Sequence, residues 1–331
     1  MGERIAVVGA TGYTGRLVTR ELQDRGVEVV AVGRHHPTPL VDAFDGCRAV
    51  INCIGSFAEH GDGVVSAAIA AGVPYVDISA EFPFLRRIFE VHHDAARKAG
   101  VPLLPGMAFY SAPADLAAAL ASRALDRAPD RVDIAYRLAG ARPSRGTLRT
   151  NLRRIGEPCF VRDGGRLVAR RIGDHPRPFR FPGAEDTAVV ARWPGGEVLT
   201  VPRHTGAASV AVFLAMPKVA AAVFRNPRLC AVLQRAGRVL VGHRTKGPSA
   251  EARRGARFVI VAEARAADRG ARCVVEGRDL YGVTAAACAQ AALRLGTGGE
   301  GASGALAPAE AFDPAVFLDA LSDYLTWRIE A

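Results

Sequence analysis

Three glycines near the start of the chain could bind the phosphates of a dinucleotide. Gly9, Gly12 and Gly15 are spaced by three residues. They follow a short apolar, β-branched run at residues 5–8 and precede a segment whose apolar residues recur at helical spacing. Glycine lets the backbone come close to a ligand, and a helix N-terminus offers free N–H groups and partial positive charge. The spacing differs from G-x-G-x-x-G, but its place between a strand and a helix predicts a nucleotide-binding turn rather than a turn without a ligand.

The residue at the end of the next predicted strand indicates which nicotinamide cofactor fits. NAD-selective enzymes usually carry Asp or Glu about twenty residues after the glycine turn. This chain has Gly33 and Arg34 there instead. A guanidinium can donate two hydrogen bonds to a 2′-phosphate, so the sequence predicts NADP(H) over NAD(H). An ordinary surface arginine is the alternative for Arg34.

Further candidates for cofactor binding lie where predicted strands end. Apolar runs at residues 49–55 and 75–78 predict two more buried strands, and open α/β sheets bind ligands at the carboxyl ends of their strands. The predicted cofactor-binding residues are Gly9, Thr11, Gly12, Tyr13, Thr14, Gly15, Arg34, Ile54, Gly55, Ser56, Asp77 and Ser79. For Asp77 and the nearby Glu81, structural support is an equally good interpretation.

The elements that must position these residues predict an α/β fold. Strands and helices alternate with short turns over residues 1–126, which predicts a doubly wound parallel sheet. From residue 127 to 280 the pattern has more alternation and more Pro and Gly. It predicts a second, α+β domain with a largely antiparallel sheet and a strand at residues 198–201. Residues 242–254 are expected to form a loop that could act as a lid.

The C-terminal residues 281–331 are expected to be helical and to pack back on the first domain. The apolar run at residues 284–295 predicts a buried helix, and residues 296–304 predict a glycine-rich linker. Asp313 and Pro314 predict the start of a terminal helix that continues to about Ile329.

Composition excludes several classes of function. The 331 residues carry a net charge of +10, which favours anionic partners. The basic residues are spread along the chain without a dense run interleaved with aromatics, so nucleic acid is not an expected partner. Six cysteines lie far apart and at no metal-binding spacing, which predicts reduced thiols, a cytoplasmic protein and no metal site. The longest apolar run is too short to span a bilayer, so no membrane partner is expected.

Two enzyme classes with a similar first turn can be compared with the rest of the chain. Short-chain dehydrogenases need a Tyr four residues before a Lys, but Asp94, Leu214 and Gly242 precede the three lysines here. That chemistry is excluded. Acyl-phosphate or semialdehyde reductases need a thiolate nucleophile near the middle of the chain. Cys159 is at a suitable distance, although its neighbours predict the start of a strand, and it stays an alternative.

Segments across both predicted domains resemble the saccharopine dehydrogenase-like NADP-binding oxidoreductases, especially the branch of trans-acting enoyl reductases. The matching segments are residues 8–15, 50–55, 75–81, 106–116, 144–147, 202–206, 247–249, 277–285 and 306–313. The resemblance implies a Rossmann-type first domain and hydride transfer from NADPH. The expected substrate is an activated C=C or C=N bond of a small or carrier-tethered anionic molecule of secondary metabolism.

The predicted catalytic residues are Tyr110 and His204. Tyr110 replaces an acidic residue that relatives often have, and its phenol could donate a proton at the nicotinamide or could simply pack. Histidine as a residue type titrates near working pH, which favours His204, and its neighbour Arg203 can hold a carboxylate, although a solvated loop histidine is the alternative. Arg145 is the other predicted substrate-binding residue, and Asp115 is expected to support a helix start.

A rival hypothesis is a non-catalytic NADP-sensing protein, because a dinucleotide fold alone does not imply turnover. The missing Tyr/Lys pair keeps this rival open, whereas a complete second domain argues against it. The sequence leaves a homodimer open as well.

Overall fold

The computed structural model describes residues 3–33, 38–155, 157–183, 187–243, 247–295 and 303–330, without the side chains of residues 238–243. Its contacts divide the chain into two units. The first comprises Met1–Ala112 and Tyr281–Asp313, and the second comprises Pro113–Leu280 and Pro314–Ala331. The division therefore falls after Ala112 rather than after residue 126, and it assigns the C-terminal residues to both units.

The first unit is built on a parallel sheet. Its strands are β1 (Arg4–Val8), β2 (Glu28–Val32), β3 (Ala49–Asn52), β4 (Tyr75–Asp77), β5 (Pro102–Leu104) and β14 (Gly304–Ala305). The sheet order is β14-β5-β4-β3-β1-β2, and every pairing is parallel. Apolar, β-branched residues fill β1 and β3 because both faces of such a sheet are covered. The predicted doubly wound sheet is confirmed.

Helices connect the strands of this unit. They are α1 (Tyr13–Asp24), α2 (Leu40–Ala43), α3 (Phe57–Ala71), α4 (Phe82–Arg87), α5 (His93–Lys98), α12 (Leu280–Leu295) and α13 (Pro308–Ala311). A π-helical turn, Ile88–His92, joins α4 to α5. The predicted burial of α12 is confirmed, since ten of its residues are buried. Of the predicted linker, residues 296–302 lie outside the described residues, and Gly304 belongs to β14.

The second unit contains a larger mixed sheet. Its strands are β6 (Arg131–Ala139), β7 (Cys159–Asp163), β8 (Arg166–Arg170), β9 (Arg177–Phe179), β10 (Ala188–Arg192), β11 (Ser209–Ala215), β12 (Arg257–Ala266), β13 (Arg269–Arg278) and β15 (Leu325–Glu330). The main path is β15-β13-β12-β6-β11-β10-β9, and β7 pairs with β11 and β8. All described pairings are antiparallel except β6 with β11. The predicted, largely antiparallel sheet is confirmed.

Helices of the second unit follow or connect these strands. They are α6 (Ala112–Arg123), α7 (Arg145–Arg154), α8 (Glu197–Thr205), α9 (Lys218–Arg225), α10 (Pro227–His243), α11 (Ala250–Gly255) and α14 (Pro314–Asp319). None of the helices in the described part of the chain combines the length and apolar composition that crossing a membrane requires.

Two predicted elements of the second unit are wrong. Residues 198–201 lie inside α8 and not in a strand, because a short apolar run fits a buried helix as well as a strand. The predicted loop at residues 242–254 contains the end of α10 and the whole of α11. The Ser249 hydroxyl caps α11 by accepting a hydrogen bond from Ala252 N at 3.2 Å. Residues 244–246 of that loop lie outside the described residues.

The predicted terminal helix is also wrong beyond its start. α14 ends at Asp319, and β15 then pairs antiparallel with β13 in the register Cys273↔Ile329. The hydrogen-bonding edge of β13 lies far away in sequence, so a local helical signal could not reveal this pairing.

The turn between β1 and α1 is held by close backbone contacts. Gly9 N donates to Val32 O at 2.7 Å, and Gly12 N donates to Gly9 O at 2.9 Å. A Cβ at Gly15 would lie only 2.1 Å from Gly9 O. Gly15 therefore allows the first turn of α1 to pack directly on the end of β1.

Gly15→Ala is expected to destabilise the protein by about 1–3 kcal/mol, because its methyl group must displace backbone atoms of the turn. Urea unfolding of the full chain measures the change. The control is Gly63→Ala in α3, where a Cβ would meet nothing within 4 Å. That variant should be as stable as the original or slightly more stable, because alanine favours a helix. Equal stability for Gly15→Ala and the original chain would contradict the packing argument.

Candidate functional site

The glycine turn of the first unit has the form of an anion-binding cradle. Gly9 has a φ of +80°, and a Cβ there would lie 3.1 Å from Ile54 N. The turn therefore approaches the segment that follows β3. Gly12 is the N-cap of α1, and both Thr11 and Gly12 are exposed. The first N–H groups of α1 thus begin at an exposed glycine, an arrangement suited to a phosphate.

The segment after β3 contains a strained residue that neighbouring groups hold in place. Ser56 adopts the left-handed conformation, with φ 65° and ψ 56°, at the N-cap of α3. This conformation costs a residue with a side chain roughly 1–2 kcal/mol. The Glu81 carboxylate accepts hydrogen bonds from Phe57 N at 3.3 Å and Ala58 N at 3.0 Å. Glu81 therefore caps the start of α3 and has the structural role considered for it.

A buried polar network joins the carboxyl ends of β3, β4 and β5. The Tyr75 hydroxyl donates to Asp77 Oδ2 at 2.9 Å and accepts from Asn52 Nδ2 at 3.1 Å. Asp77 Oδ1 accepts from Ser79 N and from Gly106 N, each at 2.8 Å. Burial raises the pKa of Asp77 to about 6, although these hydrogen bonds oppose the shift.

The network shows what the predicted residues Asp77 and Ser79 do within the protein. Both side chains are fully buried. The Ser79 hydroxyl accepts from Glu81 N at 3.1 Å, and Asn52 Oδ1 accepts from Ile54 N at 3.0 Å. Asp77 and Ser79 thus position the strand ends, and their direct contact with a cofactor stays a prediction.

Two predicted tyrosines of the first unit contact other aromatic rings. Tyr13 meets Tyr281 edge to face, with ring centroids 5.0 Å apart. Tyr110 is half-buried and meets Phe109 in the same way at 4.9 Å. Phe109 N donates to Thr284 Oγ1 at 3.1 Å, which ties the turn before α6 to α12. These contacts orient Tyr110.

In the second unit, His204 is not a loop residue. It lies in the last turn of α8, where its side chain is 8% exposed, so the alternative of a solvated histidine is wrong. His204 Nε2 lies 3.0 Å from Asp115 Oδ1, and Asp115 is fully buried in the first turn of α6. The next residue toward the N-terminus, Arg203, is exposed.

Glu197, at the other end of α8, forms a second buried polar contact. The Tyr136 hydroxyl donates to its Oε1 atom. Its Oε2 atom has no hydrogen-bond partner in the described part of the chain, and a Cβ at Gly195 would lie 2.3 Å from it. Burial raises the pKa of Glu197 to about 7, and the charge of Asp115 raises it further while Tyr136 lowers it. The unit therefore holds one carboxyl group, Glu197, that can exchange a proton near neutral pH.

Apart from Arg272, whose Nε lies 3.1 Å from Glu263 Oε1 in an ion pair, two arginines of the second unit have buried donors without acceptors among the described residues. Arg145 Nε is one, at the start of α7 and next to the N-cap Ser144. Arg192 Nε and Nη1, at the end of β10, are the others. Such donors suit an anionic group. Arg145 was expected to be a substrate-binding residue, and Arg192 was not.

Two other candidate residues are Arg34 and Cys159. Arg34 lies outside the described residues. Cys159 is fully buried at the start of β7, as its neighbours predicted. Burial raises the pKa of the Cys159 thiol to about 12, so it is not a ready thiolate.

Comparison with known proteins supports the resemblance, although no family model matches the chain. A probable mitochondrial saccharopine dehydrogenase-like oxidoreductase of Arabidopsis thaliana is 27% identical over 149 residues, 34% of this chain and 33% of the relative. A trans-acting enoyl reductase of Mycobacterium tuberculosis is 25% identical over 140 residues, 34% of each protein. The chain matches about a third of the length of these relatives.

Solved structures agree in fold. Apo saccharopine dehydrogenase (L-Glu forming) of Saccharomyces cerevisiae matches 100% of both chains with a TM-score of 0.64 and 13% identity. The resemblance to saccharopine dehydrogenase-like oxidoreductases is confirmed. An engineered D-amino acid dehydrogenase bound to NADP+ matches 98% of this chain and 99% of its own, with a TM-score of 0.51 and 14% identity. At these identities the likeness concerns the fold.

Sequence reasoning missed Glu197, Asn52 and Arg192. Asn52 lies inside the strand predicted at residues 49–55 and ends the observed strand β3, so a polar residue within this apolar run was a usable signal. Glu197 follows the sequence Pro-Gly-Gly, which reads as a turn. Its burial depends on the missing side chain at Gly195, two residues away, and on Tyr136, which is distant in the chain and gives no local signal.

Glu197→Gln is expected to remove part of the pH dependence of stability. The pKa of Glu197 is about 7 in the folded protein against an ordinary 4.5, so the folded state binds this proton more tightly. Its contribution to stability is complete below about pH 4.5 and is lost as pH rises through 7. The variant should lack a loss on the order of 2–3 kcal/mol between about pH 5 and pH 8, measured by urea unfolding. An identical pH dependence in both proteins would contradict the assignment, because all other titrating groups are shared.

Proposed function

We propose that this protein is an NADPH-dependent reductase that transfers hydride to an activated C=C or C=N bond. The expected substrate is a small or carrier-tethered anionic metabolite. The names of its relatives include an enoyl reductase and dehydrogenases, which is consistent with either bond. Redox activity is proposed for the whole chain, although the sequence likeness covers about a third of each relative.

The observation that carries this proposal is the contact of Gly15 with Gly9 at the end of a parallel strand. A side chain at Gly15 would push α1 away from β1. The exposed N-cap Gly12 is thereby held at the carboxyl edge of the sheet, close to Gly9, which itself approaches Ile54. A dinucleotide pyrophosphate fits such a turn, because backbone N–H groups and the helix dipole both favour an anion.

The first unit would hold the cofactor through the residues at that edge. Thr11, Tyr13 and Thr14 share the glycine turn, while Gly55 and Ser56 follow β3. The proposed role of Arg34 is to pair with a 2′-phosphate. When bound, the nicotinamide supplies the hydride.

The chain itself would supply protons and positive charge. Tyr110 is one proposed proton donor, and His204, held by Asp115, is the other. Arg145 and Arg203 are the proposed contacts for an anionic substrate, and the buried donors of Arg192 make it a third candidate. The second unit is accordingly proposed as the substrate domain.

A thiol-based acyl-phosphate or semialdehyde reductase is a weaker proposal. A nucleophilic cysteine must be a thiolate, and the burial of Cys159 opposes that charge. A non-catalytic NADP sensor is the remaining alternative. Unlike the reductase, it would bind NADPH without oxidising it.

Stopped-flow oxidation of bound NADPH, followed by absorbance, tests the proposed function. The acceptors are enoyl thioesters and imines, and the reductase hypothesis expects oxidation by members of one of these classes. Tight NADPH binding without oxidation by any acceptor would favour the sensor. Calorimetry that detects no affinity for either nicotinamide cofactor would refute the redox interpretation altogether.

The cofactor preference has its own test in Arg34→Asp. The variant is expected to bind NADPH at least about tenfold more weakly, because it removes a charge-assisted contact with the 2′-phosphate and adds a like charge. NADH lacks that phosphate and should lose far less. Isothermal titration with both cofactors measures the two changes, and an equal loss for both would count against the proposed role of Arg34.

The two proposed proton donors can be separated by substitution. Tyr110→Phe should slow NADPH oxidation about 100-fold if the phenol donates the proton, with cofactor affinity unchanged. Tyr324→Phe in the turn before β15 is the matched control and should leave the rate unchanged. His204→Gln tests the second donor in the same assay. Full turnover in both Tyr110→Phe and His204→Gln would remove both residues from the mechanism.

A further inference from the structure

α10 exposes large apolar side chains along one face. Leu229, Val232, Leu233 and Ala236 follow the spacing i, i+3, i+4 and i+7, so they form one apolar stripe on the helix. Val232 is 63% exposed, Leu229 44% and Leu233 40%. Val219 on the preceding helix α9 is exposed as well. A stripe of this kind, unlike scattered single residues, indicates a surface that meets an apolar partner.

The opposite face of α10 is fixed to the rest of the unit. Gln234 Nε2 donates to Leu152 O at 3.0 Å, and a Cβ at Gly237 would lie 2.3 Å from the Leu152 side chain. Cys230 is buried, with its Sγ 3.2 Å from Phe224 O. These contacts hold α10 against α7 and α9. The apolar stripe on the opposite face of α10 is therefore exposed to solvent.

Arginines accompany the apolar stripe. Arg228 and Arg235 are exposed and lie two turns apart beside it. Residues 217–250 contain no Asp or Glu at all. The basic residues in that range are Lys218, Arg225, Arg228, Arg235, Arg238, Arg244 and Lys246. Of these, Lys218, Arg225, Arg228 and Arg235 are exposed on the described parts of α9 and α10, which carry no acidic residue.

We propose that the apolar stripe of α10 docks the protein on the surface of an anionic lipid bilayer. This differs from the expectation of no membrane partner, which considered only segments that span a bilayer. A helix with exposed aliphatic side chains beside a row of arginines suits the boundary between acyl chains and headgroups. The aliphatic side chains enter the acyl region, while the long arginine side chains reach the phosphates. A helix surface is convex, and a deformable bilayer can cover it without a matching groove.

Charge argues against a second copy of this chain as the partner. Two copies meeting through this face would bring two sets of arginines together, and like charges across an interface are unfavourable. An anionic bilayer instead neutralises them. The net charge of +10 on the whole chain adds a long-range attraction to the anionic bilayer.

Co-sedimentation of the full chain with vesicles tests this proposal. The chain should bind vesicles of phosphatidylcholine mixed with phosphatidylglycerol, and bind much less to phosphatidylcholine alone. Binding should weaken as salt is added, because exposed charges are screened. The double variant Val232→Ser/Leu233→Ser should bind vesicles more than tenfold more weakly. It removes two apolar side chains whose transfer from water into the acyl region stabilises binding. Arg228→Gln/Arg235→Gln should also weaken it about tenfold or more.

Matched controls lie elsewhere on the surface. Val91 is also 63% exposed, so Val91→Ser removes an equally exposed valine outside the stripe. Arg97→Gln/Arg127→Gln removes the same charge from side chains that are 60% and 59% exposed. Both controls should bind anionic vesicles nearly as well as the original chain.

Several outcomes would overturn the proposal. One is that the chain does not bind anionic vesicles. Another is that the control variants lose as much vesicle binding as the stripe variants do. Sedimentation equilibrium that shows a dimer dissociated by Val232→Ser/Leu233→Ser would assign the stripe to a second copy instead. Binding to an acidic acyl carrier protein in place of vesicles, lost in the same variant, would assign it to a protein partner.

Discussion

The arrangement of the first unit depends on the buried carboxylate of Asp77. A carboxylate without water is costly unless hydrogen bonds replace its hydration. Asp77 accepts such bonds from Tyr75, Ser79 and Gly106, which belong to or follow β4 and β5, and Tyr75 in turn reaches Asn52 at the end of β3. Each of these groups meets the hydrogen-bonding need of another member of the network. The hydrogen bonds therefore hold the three strand ends in one arrangement. The carboxyl edge of the sheet, where the cofactor is proposed to bind, is built on that arrangement.

The two units differ in the polar groups that are proposed to contact ligands. The first presents backbone N–H groups at a glycine turn, and these carry no proton that titrates near neutral pH. It also buries an ionisable pair, Asp77 with Tyr75, whose hydrogen bonds position the strand ends. The second unit buries Glu197 with Tyr136 and His204 with Asp115. Backbone amides suit a constant anion such as a pyrophosphate, whereas ionisable side chains suit a step in which a proton moves.

Candidate residues were predictable to different degrees. The glycine turn could be predicted because its signal is local: Gly15 must lack a side chain where α1 meets β1. The chemistry of histidine predicts His204 as a site residue, but its environment has no local signal, since its partner Asp115 is far away in sequence. Glu197 had no signal of its own. Its proton affinity comes from complete burial and from neighbours on other elements.

The alternation of strands and helices, the glycine turn and the two kinds of sheet are predictable from the residues alone, because the spacing of apolar residues and the placement of glycines act within a few residues. By contrast, tertiary contacts are what place residues 198–201 in a helix and pair Leu325–Glu330 with β13. Tertiary contacts also select the polar side chains that are buried together. Strand pairing and burial depend on partners distant in the chain, and local propensity is too weak to overrule them.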